Sequence, residues 1–154
     1  MSSKCALIQA AMGQLAALAL PNAKLLGFTA DKARPARQDV GGSVFAEWGD
    51  AGDPTGVDLG GSDGAVYYYD WAIDLEIMPP VAAGLQGGTA DDAIDAMGSA
   101  IGVAIRADRQ LGGLAEWVDV RPLTIDDRVT PGAPTIRTGT TTVVVSFSTT
   151  DPLN

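Results

Sequence analysis

The pattern of apolar and polar positions divides the 154 residues into alternating helical and extended stretches. Residues 4–20 repeat apolar side chains at three- and four-residue spacing through Ile8, Ala11, Met12, Leu15, Leu18 and Ala19. Ser2 or Ser3 can cap this helix and Pro21 stops it. After a short apolar run, Lys24 to Phe28, residues 29–42 form a polar, basic loop or arm. Its Arg34-Pro35 step disfavours helix. Ser43 to Gly49 reads as a short strand. The stretch 49–64 holds six glycines, four aspartates and Pro54, which predicts turns throughout.

From Ala65 to Met78 the odd positions are Ala, Tyr, Tyr, Trp, Ile, Leu and Ile, and most even ones are polar or small. Such alternation predicts one long half-buried strand with its aromatic and aliphatic side chains inward, part of it projecting as an arm or hairpin. A second helix begins at Thr89, where Thr89 and Asp92 have capping-box spacing, and carries a stripe of Ile94, Met97, Gly98, Ile101, Ala104 and Ile105. Gly112-Gly113 closes it. Gly98 and Gly102 permit a close approach on one helix face. Residues 114–125 alternate as a strand broken near Pro122, 126–133 form a loop, and 135–149 form a last strand with Val143, Val145 and Phe147 on one face.

The expected fold class is therefore α+β: a mainly antiparallel sheet of four to five strands with two helices packed on one face. Residues 1–149 make a single domain, with the arm at 29–42 and the Asp/Gly-rich loop at 49–64, and 150–154 form a C-terminal tail. No run reaches the ~18–20 consecutive apolar residues of a membrane helix, and the amino-terminal stretch makes a poor secretory leader. The expected setting is cytoplasmic.

Charge changes the picture most. The net charge is −9, and it is unevenly spread. Residues 1–37 carry five cations and one acid, whereas 38–105 carry twelve carboxylates and no Lys or Arg at all. Sixty-eight residues of one sign repel phosphate and anionic membrane. A conventional DNA-binding role is disfavoured, because phosphate neutralisation supplies most non-specific affinity.

The chain has no histidine and one cysteine, Cys5. That excludes Ser-His-Asp and Cys-His nucleophiles, HExxH sites and any internal disulfide. Phosphate-cradling and nucleophile-elbow motifs are missing too. Asp50, Asp53, Asp58 and Asp63 could offer oxygen ligands, yet they lack EF-hand spacing. Asp70, Asp74 and Glu76 share the polar face of the long strand, where solvation accounts for them. No catalytic residue, metal or cofactor is assigned.

In the carboxyl half, a capped helix ending Ala-Ile-Arg-Ala-Asp-Arg-Gln-Leu-Gly-Gly-Leu-Ala (104–115) precedes a strand and an acidic loop. Then follow Gly-Ala-Pro-Thr-Ile-Arg and Thr-Val-Val-Val-Ser-Phe-Ser-Thr-Thr-Asp-Pro-Leu within 132–153. With the opening helix and basic arm, this order of elements resembles the tail terminator (minor tail or tail-completion) proteins of long-tailed bacteriophages. The resemblance implies a non-enzymatic virion protein, assembled in the host bacterial cytoplasm as a homohexameric ring on the tail tube. It would end tube polymerisation and offer a head-side joining surface. Its partners would be the tail tube protein and the head-tail connector protein, with DNA passing through unbound. Closed cyclic symmetry and complementary charged patches suit such a ring. Lys32, Arg34 and Arg37 of the arm are the candidate inter-subunit or partner contacts. Glu47, Asp50, Asp53, Asp58 and Asp63 are the candidate acidic lumen or contact groups. Two alternatives are another neck (head-completion) component, and a calcium-dependent binding module or small enzyme built on the Asp-rich loop.

Overall fold

The computed structural model describes residues 3–28, 35, 37–62, 64–85 and 87–151. In order, the elements are helix α1 (Ser3–Ala19), strands β1 (Lys24–Leu26), β2 (Ser43–Trp48), β3 (Gly56–Gly61) and β4 (Gly64–Met78), helix α2 (Gly88–Ala107), and strands β5 (Trp117–Val120), β6 (Thr124–Arg128) and β7 (Ile136–Thr149). Single 3-10 turns sit at Val81–Ala83 and Leu111–Gly113.

All seven strands join one sheet in the order β1-β2-β4-β7-β5, with β3 also on β4 and β6 also on β7. Every pairing is antiparallel except β1 with β2. The α+β class holds, but four to five strands understates the sheet. The extra strands arise because β4 and β7 are long enough to carry two short partners end to end on one edge. On β4 these are β2 against residues 73–78 and β3 against 64–68; on β7 they are β5 against 143–146 and β6 against 136–140. The expected all-turn stretch 49–64 thus contains β3, and the expected loop 126–133 begins inside β6. Glycine and aspartate masked both strands, whose pairing is imposed by the long neighbour rather than by local propensity.

The central pair aligns Tyr67 with Thr149 through Ile77 with Gly139, so one register sets which side chains face the helices. Tyr69, Trp71, Ile73, Leu75 and Ile77 of β4 and Val143, Val145 and Phe147 of β7 are buried there. They meet Cys5, Ile8, Met12 and Ala16 of α1 and Ile94, Met97, Ile101 and Ile105 of α2 in a single core. Leu18, expected on the inward stripe of α1, is exposed, because the stripe ends with the last turn at Ala16. The expected Thr89 cap is also corrected. Helix α2 starts one residue earlier behind Gly87 and has no side-chain capping bond.

Gly139 marks a close helix–sheet approach. A Cβ there would stand 2.4 Å from Ile94 Cγ2 and 3.1 Å from Leu123 Cδ1. Gly98 accommodates the same Leu123, with 3.1 Å to its Cδ2, so the anticipated close approach on α2 is to the β5–β6 link. Gly139→Ala is expected to cost about 1–3 kcal/mol through overpacking, measurable by denaturant unfolding. A neutral result would mean that Ile94 repacks freely.

Candidate functional site

With both helices on one face, the other face of the sheet is left open. Its composition follows from period-2 alternation: the even residues of β4 and β7 and the odd residues of β2 point that way. Glu47 of β2 stands directly opposite Asp74 of β4, which stands opposite Thr142 of β7. One row along, Phe45 opposes Glu76, and Glu76 opposes Thr140. Two rows the other way, Asp70 opposes Ser146, which opposes Trp117 of β5.

Hydroxyls of β7 fix two of these carboxylates. Thr142 donates to Asp74 Oδ1 at 2.7 Å and Ser146 donates to Asp70 Oδ1 at 2.6 Å. Both acids remain exposed, as does Glu47. Directly opposed like charges on neighbouring strands have Cβ atoms about 4.5–5.5 Å apart and reduce stability. The Glu47–Asp74 pair is such a placement, and among the described residues neither group has an ion-pair partner. Stability alone does not favour it.

Towards the other end of β4 the acid is handled differently. Glu76 is 6% exposed, and its Oε1 accepts a 2.7 Å bond from Arg128 Nη1 of β6. Between these two regimes lies a shallow concavity of about 640 Å³, lined by Phe45, Glu47, Asp74, Glu76, Arg121 and Thr140 among others. It presents three carboxylates and threonine hydroxyls against one arginine, so acidic oxygens predominate. Among the described residues no cluster of three or more His, Cys, Asp or Glu could hold a metal ion.

The fold scatters the expected acidic set. Glu47 belongs to β2 and the open face. Asp50 lies in the following loop and accepts from the Gly52 amide at 3.3 Å; Asp53 is exposed in the same loop. Asp58 lies on β3 and accepts from the Gly60 amide at 3.0 Å. Because Glu47 faces Asp74 and Asp58 faces Val66, the two acids lie eight residues apart along β4, about 26 Å. Asp63 lies outside the described residues. The acids Asp70, Asp74 and Glu76 join Glu47 instead, and strand alternation is the signal that finds them.

In the arm, Lys32 and Arg34 lie outside the described residues. Arg37 is exposed beside a cleft of about 280 Å³ that includes Leu85 and Pro134. Its neighbour Gln38 donates through Nε2 to the carbonyls of Gly84 at 2.6 Å and Pro79 at 3.3 Å, tying the arm to the chain reversal after β4. The segregation of charge along the sequence is also partly undone in space. Arg128 reaches Glu76, and Arg137 Nε donates to Asp91 Oδ1 at 2.8 Å, both pairs joining the cation-free block to the last third. The bonds to Asp91 and then to Asp127 hold the Arg137 guanidinium above its ordinary pKa.

Among the described residues no helix is long and apolar enough to cross a membrane. No protein-family model matches the chain, and no curated protein matches it at a significant level.

Proposed function

We propose that this chain is a structural virion protein that caps the tail tube of a long-tailed bacteriophage as a homohexameric ring. It ends tube polymerisation and offers the joining surface for the head-tail connector protein, acting without bond chemistry. The observation that carries this reading is the open sheet face, where Glu47, Asp70 and Asp74 stand exposed and form no ion pair with the other described residues, Arg121 alone lining the same concavity. A carboxylate-lined wall repels phosphate, so a duplex can slide past without being held. The element order and terminal motifs that resemble tail terminators support the same reading.

Two measurements test it. Electron microscopy with mass measurement of the purified protein should find closed rings. A discrete monomer that turns over a small molecule would end the case. Glu47→Lys with Asp70→Lys and Asp74→Lys should leave the fold intact but create duplex-DNA affinity that falls steeply with salt, its logarithmic slope growing by roughly 0.9 per phosphate engaged. Tight DNA binding by the unaltered protein would contradict a neutral conduit.

A further inference from the structure

The β3–β4 hairpin overhangs the sheet. Pairing of β4 with β7 stops at Tyr67–Thr149; beyond it β4 pairs only with β3, through Val66–Asp58 and Gly64–Gly61, with a bulge between Asp58 and Gly61. Three residues project the tip about 10 Å beyond the last β4–β7 pair. The outer edge of β3 is unpaired, and it carries Val57 at 47% and Leu59 at 79% exposure. Asp58 lies between them and Asp53 just before them. No Lys or Pro lies within this strand, but Asp58 and the bulge after it blunt the edge against strand pairing and leave its side chains as the available contact groups. A short edge with two exposed aliphatic side chains flanked by acids is an unspent interaction surface.

A complementary surface lies on the opposite edge of the same sheet. Between α2 and the β5–β6 link runs a groove of about 360 Å³, with Gly98, Gly102 and Arg106 on the helix side and residues 120–123 on the other. Val120, Pro122 and Leu123 give it apolar walls, and the Arg106 guanidinium lies beside Gly102. Two exposed arginines, Arg106 and Arg121, line it, and neither has an ion-pair partner among the described residues. The acid that also lines the groove, Asp95, lies eleven residues along α2 from Arg106, about 16 Å away.

We propose that the β3–β4 hairpin of one copy docks in this groove of a second copy, with Leu59 against the apolar walls and Asp58 facing Arg106 and Arg121. Donor and acceptor lie on opposite edges of one sheet, so a subunit cannot satisfy both by itself. The contact is head-to-tail, the heterologous type that closes into a ring when the rotation allows. Charge complementarity and the apolar match single out the second copy as occupant. The inference rests on the ring reading above and adds the residues that join neighbours.

The test is the oligomeric state by sedimentation across a concentration series. Leu59→Ser and Asp58→Arg on the hairpin, and Arg121→Glu in the groove, alter exposed side chains and should leave circular dichroism unchanged. Each should raise the concentration needed for assembly at least tenfold. The charge swap Asp58→Arg with Arg121→Glu in one chain should recover most of that loss. Single variants that assemble like the unaltered chain, or a swap no better than its parents, would overturn the pairing alone. An unaltered chain that stays monomeric at every concentration would overturn the pairing and the ring together.

Discussion

Trp71→Ala is expected to lower the unfolding free energy by about 4 kcal/mol, within the ~3–5 kcal/mol range for losing a buried Trp or Phe. For a chain of this size that moves the thermal midpoint down by roughly 10 °C. Trp71 is 2% exposed at the middle of β4. Its ring centroid lies 4.9 Å from that of Trp48 and 6.4 Å from that of Phe147, so it joins β2, β4 and β7 beneath the helices. Its Nε1–H also donates to the Gly49 carbonyl at 2.7 Å, which fixes where the chain leaves β2. Trp71→Phe keeps most of the apolar volume and gives up that bond, so it should cost about 1–2 kcal/mol. Chemical unfolding followed by far-ultraviolet circular dichroism separates the two. A loss below 1 kcal/mol for the alanine variant would show that the aromatic cluster does not hold the sheet to its helices.

Arg128→Met should cost about 3 kcal/mol, because it strips the guanidinium from a carboxylate only 6% exposed. Combining it with Glu76→Gln removes the charge that suffers, so the double variant should return to within about 1 kcal/mol of the parent. A double-mutant cycle in urea reads the coupling directly. Near-additive single effects would mean that the two side chains contribute independently despite their 2.7 Å contact. The experiment also probes the open face, since this ion pair anchors β6 beside the exposed carboxylates.

The readability of these features from sequence varied with how local their causes are. Helix α1, strand β4 and the inward set Tyr69, Trp71, Ile73, Leu75 and Ile77 follow from periodicity, and the structure carries them within a residue of the expected limits. Strand β3 does not follow, because a Gly-Val-Asp-Leu-Gly-Gly segment is extended only while β4 offers it an edge. Composition pointed to the aspartates of 49–64 as the acidic centre. Of the expected acids only Glu47 lies on the open face, where Asp70 and Asp74 join it, because strand pairing rather than sequence proximity determines which carboxylates become neighbours. Arg128 does not follow from sequence as the partner of Glu76: it lies 52 residues further along and is brought across by β7.

The β4–β7 ladder, joining residues 67–77 to 139–149, has a consequence for how the chain matures. During synthesis, β4 emerges some seventy residues before its main hydrogen-bonding mate, and non-local pairing of this sort is slow. Through that interval a strand bearing Trp71, Ile73 and Leu75 is exposed to other nascent chains, a setting in which aggregation competes with folding. Asp70, Asp74 and Glu76, interleaved with those apolar residues, have the gatekeeper placement that disfavours self-association of the waiting strand until residues 139–149 are available.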